Sequence, residues 1–136
     1  MKKILFYSFI LSFFYSFMSC GHKPSPEEQA MQAATEAAEK SYKELLAGHY
    51  DKFMQERAGA DSLPDDYREQ LIMAYKQYMN TQQESHGGIS SFKVINANID
   101  STQSLIQVFL MLQYGDDTQE EIVVPMVERN GQWKMR

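Results

Sequence analysis

Residues 104 to 114 read SLIQVFLMLQY and form the most apolar of the strand-like stretches in this chain. Alternate side chains from Ile106 to Tyr114 are aliphatic or aromatic, and Leu105, Phe109 and Met111 lie between them. Because neighbouring residues of a strand point to opposite faces of a sheet, this stretch has apolar side chains on both faces. A strand that is covered on both faces is typical of the centre of a sheet. The sequence therefore predicts a central strand here.

Three further strands are predicted around it. In residues 89 to 99 the alternation predicts two groups on opposite faces, with Ile95, Ala97 and Ile99 on one and Phe92 and Val94 on the other. Residues 120 to 129 contain Pro125, which has no amide hydrogen to donate and so predicts an edge position or a bulge. Asn130-Gly131 favours a tight hairpin, after which residues 132 to 136 form the last strand.

The chain between residues 25 and 88 has the periodicity of helices instead. Ser25-Pro26-Glu27-Glu28 begins the first helix with a capping serine, a proline and two acids, and Gly48 ends it. A short helix follows from His49 to Gln55. Leu63-Pro64-Asp65-Asp66 opens a third helix, whose pattern ends at His86-Gly87-Gly88. The predicted inward stripe of the third helix is Tyr67, Leu71, Ala74, Tyr75 and Tyr78. Three helices before four strands predict an α+β domain whose helices cover one face of a mainly antiparallel sheet.

The first twenty residues have the three parts of a bacterial secretory signal. Lys2 and Lys3 are basic, residues 4 to 15 are apolar and aromatic, and small and apolar residues then lead to Cys20. The apolar run is shorter than the roughly 20 residues that a membrane-spanning helix needs. We therefore expect an exported protein.

Phe17-Met18-Ser19-Cys20 resembles the lipobox of bacterial lipoproteins, in the looser form that is common in the Bacteroidetes. The resemblance implies cleavage between Ser19 and Cys20, and attachment of palmitate-like acyl chains at Cys20 that hold the protein at a membrane. The alternatives are an incidental thiol in an ordinary signal peptide and an uncleaved anchor. The predicted organisation is a signal peptide over residues 1 to 19, a lipidated cysteine and tether over 20 to 25, and one domain over 26 to 136. We expect it in the cell envelope, at the outer membrane, with the periplasmic face and the cell surface both open.

Composition excludes several classes of function. The whole chain has a net charge of −5, and without Lys2 and Lys3 it has eleven basic and eighteen acidic side chains, a net charge of −7. An acidic domain offers no electrostatic footprint for nucleic acid. A single cysteine excludes a disulfide within the chain, and the sequence has no spaced set of metal ligands, so we expect no metal and no cofactor.

Two short stretches resemble members of the NTF2-like superfamily. One is Gly48-His49-Tyr50-Asp51-Lys52-Phe53 between the first two helices, and the other is the closing Arg129-Asn130-Gly131-Gln132-Trp133-Lys134-Met135. With the order of elements, they look like the small lipoproteins of the DUF4878 type, described as lumazine-binding-like. The resemblance implies a cone, in which a curved sheet wraps a helix and leaves a pocket at the wide end.

Two sets of side chains are candidates for function. The aromatic residues suited to a pocket are Tyr42, Tyr50, Phe53, Tyr67, Tyr75, Tyr78 and Trp133, and the alternative is that they simply fill the cone. The apolar residues on the back of the sheet are Leu105, Phe109, Met111, Val123 and Val127, which predict a homodimer or partner surface unless neighbouring side chains cover them. His49 and His86 lie at helix ends, where a capping or surface role is expected.

No catalytic residue is predicted, because the strand faces carry no histidine or carboxylate whose pKa burial would shift. The first hypothesis is a non-enzymatic envelope lipoprotein that binds a small apolar or aromatic molecule, or a protein partner. The alternative is an accessory subunit of an envelope complex that acts through the back of the sheet. An isomerase or dehydratase in the cone is a distant third.

Overall fold

The computed structural model describes Gly21 and residues 23 to 136. The predicted signal peptide, Cys20 and His22 lie outside the described residues. The elements are helices α1 (Pro26–Leu46), α2 (Tyr50–Gln55) and α3 (Asp65–His86), then strands β1 (Ile89–Asp100), β2 (Leu105–Tyr114), β3 (Gln119–Arg129) and β4 (Gln132–Met135). A short 3-10 turn, Ala60–Ser62, lies between α2 and α3. The predicted α+β class is confirmed.

The four strands form one antiparallel sheet in the order β1-β2-β3-β4. Leu110 of β2 lies opposite Val94 of β1 and Ile122 of β3, which confirms β2 as an inner strand. The face of β2 that carries Leu110 is turned toward the helices and is fully buried at Val108, Leu110 and Leu112. This face of the sheet forms the floor of the hydrophobic core.

The predicted faces of β1 are wrong beyond Val94, because the strand contains a bulge. Val94 lies opposite Leu110, yet Asn96 lies opposite Phe109 and Ala97 opposite Val108, so Ile95 is an extra residue. An extra residue reverses the alternation that follows it. Ala97 therefore packs on the core side with Phe92 and Val94, while Ile95 is 41% exposed.

Helix α1 begins as its sequence predicts. The Ser25 hydroxyl accepts from the Glu28 amide, and the Glu28 carboxylate accepts from the Ser25 amide, so the two residues form a capping box. The buried face of α1 consists of Ala34, Ala38, Ser41 and Leu45. The small side chains let the helix backbone approach the sheet, and the buried Ser41 hydroxyl is satisfied by the Ala37 carbonyl at 2.8 Å.

Helix α3 is turned relative to the predicted stripe and has no fully buried residue. Its half-buried side is formed by Arg68, Leu71, Ile72, Tyr75, Met79, Gln82 and His86, whereas Tyr67 and Ala74 are exposed. The reason is its position, since α3 packs mainly on α2 and β1. Tyr75 and Tyr78 still lie near residues 123 to 125 of β3, where they line a cavity.

The described core is built from residues between Ala34 and Met135, drawn from all the helices except α3 and from the sheet. The described core residues lie within the predicted domain of residues 26 to 136, and we expect this domain to fold on these contacts. Among the described residues, no helix is both long enough and apolar enough to cross a bilayer.

Candidate functional site: a cavity at the edge of β3

A cavity of about 300 Å³ lies between the three helices and the edge of β3. Its lining residues are Tyr42, Leu45, Phe53, Arg57, Tyr75, Tyr78, Val123, Val124, Pro125, Met135 and Arg136. Tyr78 and Val123 are exposed residues and form part of its rim. Most of its wall is therefore aromatic or aliphatic.

The cavity exists because β4 is short. β4 pairs with β3 only from Met126 to Arg129, and the last contact along that edge is the Arg136 amide donating to the Pro125 carbonyl at 2.9 Å. Before Pro125, no strand of the described chain pairs with this edge of β3, which faces the cavity. Pro125 thus lies at an edge of the sheet, as its missing amide hydrogen predicts.

Three aromatic rings are packed edge to face along one wall. Tyr42 and Phe53 have ring centroids 5.5 Å apart at an interplanar angle of 84°, and Phe53 and Tyr75 are 4.9 Å apart at 80°. Tyr42 also contacts Phe92 of β1, with centroids 6.0 Å apart. Such pairs add to the energy of apolar burial and fix the ring planes, so this wall is preformed.

Arg57 also lines the cavity, although it was not among the predicted pocket residues. It follows α2, and its backbone is held beside β4 by the Ala58 amide donating to the Met135 carbonyl at 2.7 Å and the Met135 amide donating to the Glu56 carbonyl at 2.8 Å. The guanidinium Nη1 donates to the Tyr75 hydroxyl at 3.4 Å. A second arginine, Arg136, lines the cavity and donates from Nη1 to Gln103 Oε1 at 2.8 Å.

Two tyrosines of the cavity, Tyr42 and Tyr78, have a pKa above the ordinary value. Burial, followed by the nearby Tyr78 and Tyr75 hydroxyls, raises the pKa of Tyr42 to about 12. Burial and the Glu120 carboxylate also raise the pKa of Tyr78 above its ordinary value. In the described part of the chain, neither hydroxyl has a hydrogen-bond partner from the protein, so each can donate to a guest in the cavity.

We predict that stability falls in alkali partly because of Tyr42. Below pH 10 both the folded and the unfolded chain keep the phenol proton, so the stabilisation is complete there. Between pH 10 and 12 the unfolded chain loses this proton first, and the free energy of unfolding should fall by about 2 kcal/mol by pH 12. Urea unfolding of the wild-type domain and Tyr42→Phe across this range tests it. An equal pH dependence in the two proteins would contradict the prediction.

Of the seven predicted pocket residues, the structure brings Tyr42, Phe53, Tyr75 and Tyr78 together around the cavity. The other three lie elsewhere. Tyr67 is 47% exposed, because α3 turns it outward, and Tyr50 is half-buried against the core from α2. Trp133 lies on the same face of β4 as Met135 but two residues nearer the hairpin, opposite Glu128, and it lines a separate open groove beside the start of α1 and the β1–β2 turn.

Neither predicted helix-end histidine lines the cavity. His49 lies 2.6 Å from the Glu44 carboxylate, and His86 is stacked on Tyr114 with Nδ1 3.1 Å from Asp116 Oδ2. Thr118 donates to Asp116, and this hydrogen bond is the main reason that the pKa of Asp116 lies below its usual value. Within the described ranges, no group of three or more histidine, cysteine or acidic side chains is placed to hold a metal ion.

The predicted back-face residues differ in exposure. Leu105 and Val127 are buried, Phe109 and Met111 are half-buried, and Val123 is 48% exposed. Phe109 and Val123 are direct cross-strand neighbours. The apolar area left open on this face is therefore centred on Phe109, Met111 and Val123, a smaller patch than the sequence predicted.

These helices, this curved antiparallel sheet and the cavity between them define an NTF2-like fold. The chain is similar to a solved structure from Campylobacter jejuni that is called an NTF2-like transpeptidase, with a TM-score of 0.58 and 10% sequence identity. The match covers 74% of this chain and 94% of that chain. At this identity the likeness shows the fold alone. No protein-family model matches the sequence, and no curated protein matches it.

Proposed function

We propose that this chain is an envelope lipoprotein whose NTF2-like domain binds a small molecule with an apolar or aromatic body. The observation that carries the proposal is the cavity of about 300 Å³ with its wall of packed aromatic rings. A mainly apolar, preformed cavity with a few polar groups is the usual form of a small-molecule site.

Binding is a better interpretation than catalysis because of the residues at the wall. Among the residues that the structure describes, the cavity lining includes no cysteine, serine, histidine or carboxylate. Acyl transfer of the kind named for the Campylobacter jejuni protein needs an activated nucleophile, and an isomerase or dehydratase needs a general base. Tyrosine and arginine supply donors and positive charge, which suit recognition of a ligand.

A cavity-filling substitution tests the binding site. Val124 is buried at the cavity wall, and we expect Val124→Phe to weaken binding of the neutral dye N-phenyl-1-naphthylamine at least tenfold by occupying its space. The measurement is a fluorescence titration of purified residues 21 to 136. Met111→Phe adds similar bulk to the opposite face of the sheet and should leave binding unchanged. Equal binding by wild type and Val124→Phe would place the dye outside the cavity and refute the site.

Lipid anchoring is the second part of the proposal, and the lipobox-like Phe17-Met18-Ser19-Cys20 supports it. In cells fed an alkyne analogue of palmitate, the full chain should carry the label and fractionate with membranes. Cys20→Ala should lose the label, because the thiol and the cleavage signal are both removed. A labelled Cys20→Ala chain, or an unlabelled wild type, would refute anchoring through Cys20.

A partner surface on the back of the sheet is the second candidate function, favoured by the exposure of Val123 beside Phe109 and Met111. Native mass spectrometry of the domain distinguishes the two proposals. A retained small mass that is absent from Val124→Phe supports the cavity. A ligand-free dimer that Phe109→Asp dissociates supports the sheet.

A further inference from the structure

We propose that the cavity is selective for small amphipathic anions, with an apolar body against the aromatic wall and one acidic group at Arg57. The acidic group is a carboxylate, sulfonate or phosphate, since these share the geometry that a guanidinium recognises. This inference rests on the proposed binding function and narrows its ligand class.

The positive charge of Arg57 is not neutralised by a carboxylate of the described chain. The guanidinium is half-buried, and no carboxylate of the described chain lies within 4.0 Å of it. Its neighbour Glu56 instead lies 3.5 Å from Lys40 and 3.5 Å from Lys134. None of the described arginines has a carboxylate within 4.0 Å, but Arg57 is half-buried whereas Arg129 and Arg136 are exposed. A partly buried charge is costly unless it is paired, so a ligand anion would supply the missing partner.

Arg57 and Arg68 differ in the hydrogen bonds that they donate within the described chain. Arg68 is a structural residue that donates from Nε to the Leu63 carbonyl at 3.1 Å and from Nη2 to the Ala60 carbonyl at 3.0 Å. Arg57 makes only a long contact of 3.4 Å with the Tyr75 hydroxyl among the described residues. Most of its donors are therefore available, and they lie at the wall of the cavity.

The tyrosine hydroxyls extend this set of donors. The Tyr75 hydroxyl accepts from Arg57, which leaves its own proton free to donate, and Tyr78 and Tyr75 lie close enough to Tyr42 to raise its pKa. Tyr42 carries its phenol proton at neutral pH, since even the ordinary pKa of a tyrosine lies far above 7. Among the described lining residues none is acidic, although the Glu120 carboxylate is close enough to raise the pKa of Tyr78 at the rim. Donors and positive charge thus converge on one region of an otherwise apolar cavity.

Two dyes of nearly the same shape test the inference. 1-Anilinonaphthalene-8-sulfonate carries a sulfonate, and N-phenyl-1-naphthylamine has the same aromatic body without it. In fluorescence titrations of residues 21 to 136, the wild-type domain should bind the sulfonate dye at least tenfold more tightly than the neutral dye. Arg57→Gln should remove this preference while it changes the affinity for the neutral dye less than twofold. Retained neutral-dye binding shows that the variant is folded.

Arg129→Gln is the matched control, because it removes the same charge from an exposed hairpin residue outside the cavity. It should change the affinity for either dye less than twofold. Tyr78→Phe is a second test that does not depend on the folding of Arg57→Gln. This residue lies at the rim of the cavity. Loss of its hydroxyl should weaken binding of the sulfonate dye about threefold and leave binding of the neutral dye unchanged.

Each other outcome is decisive. Equal wild-type affinity for the two dyes overturns the anion selectivity and leaves the proposed binding function standing. If Arg57→Gln and Arg129→Gln reduce the preference for the sulfonate dye equally, the preference comes from the overall charge of the domain. That result also overturns the anion selectivity of the cavity. Failure of both dyes to bind, or binding that Val124→Phe does not weaken, overturns the inference together with the proposed site.

Discussion

Replacing Leu110 with alanine is expected to lower the free energy of unfolding by about 3 kcal/mol, within the usual range for a buried leucine. Leu110 is 0% exposed and lies on an inner strand, opposite Val94 and Ile122. Its neighbours are held by two ladders and by α1 above the sheet, so they cannot move in to fill the space. The loss therefore includes both the buried apolar surface and the cavity that is left behind.

The measurement for Leu110→Ala is urea unfolding of residues 21 to 136, with the midpoint expected to fall at an unchanged slope. Ile95→Ala is the control, since this residue lies in the β1 bulge, is 41% exposed and is not part of the buried core. We expect it to cost less than about 1 kcal/mol. Equal losses in the two variants would show that β2 does not carry the core of this domain.

The fold was predictable because the residues that begin and end its helices and strands act locally. The Ser25 capping box, the double glycine after α3 and Asn130-Gly131 each determine the backbone within a few residues of themselves. The alternation of residues 105 to 114 then identifies the inner strand without reference to any partner. Local chemistry and the tertiary structure agree at these points, so the order and bounds of the elements follow from the sequence.

The faces of two elements were not predictable in the same way. The bulge at Ile95 has no distinctive residue to mark it, and it appears only as a shift in pairing with β2. Helix α3 has apolar side chains over more than half of its circumference, so its orientation is decided by contact with α2 and β1 rather than by its own pattern.

The polar part of the cavity depends on contacts across the whole domain. Arg57 becomes a wall residue because the segment after α2 pairs with Met135, far away in the sequence. Arg136 joins it because β4 ends there and its amide bonds to Pro125. Only the aromatic part, Tyr42, Phe53, Tyr75 and Tyr78, could be predicted, since large rings in an α+β domain usually face its core.

Replacing Gly115 with alanine is the second substitution for which we expect a large effect, a loss of about 3 kcal/mol in unfolding free energy. A Cβ at this position would overlap the Gly87 carbonyl oxygen and lie 3.0 Å from its carbon, and both are backbone atoms that cannot rotate away. The Gly115 amide donates to the Gly88 carbonyl at 2.8 Å, and the Asp116 amide to the His86 carbonyl at 2.9 Å. The added methyl group would push the end of α3 away from the β2–β3 turn and break both bonds.

Gly48→Ala separates this clash from the general cost of replacing glycine. Gly48 has φ +81° and open space around it, so alanine there meets only backbone strain of about 1 kcal/mol. Gly115→Ala should exceed that loss clearly and should speed amide exchange in the last turn of α3, where Gly48→Ala should not. Because α3 also carries Tyr75 and Tyr78 to the cavity, Gly115→Ala should weaken binding of both dyes. Similar losses in the two glycine variants would mean that α3 is held at the cavity mainly by its packing on α2.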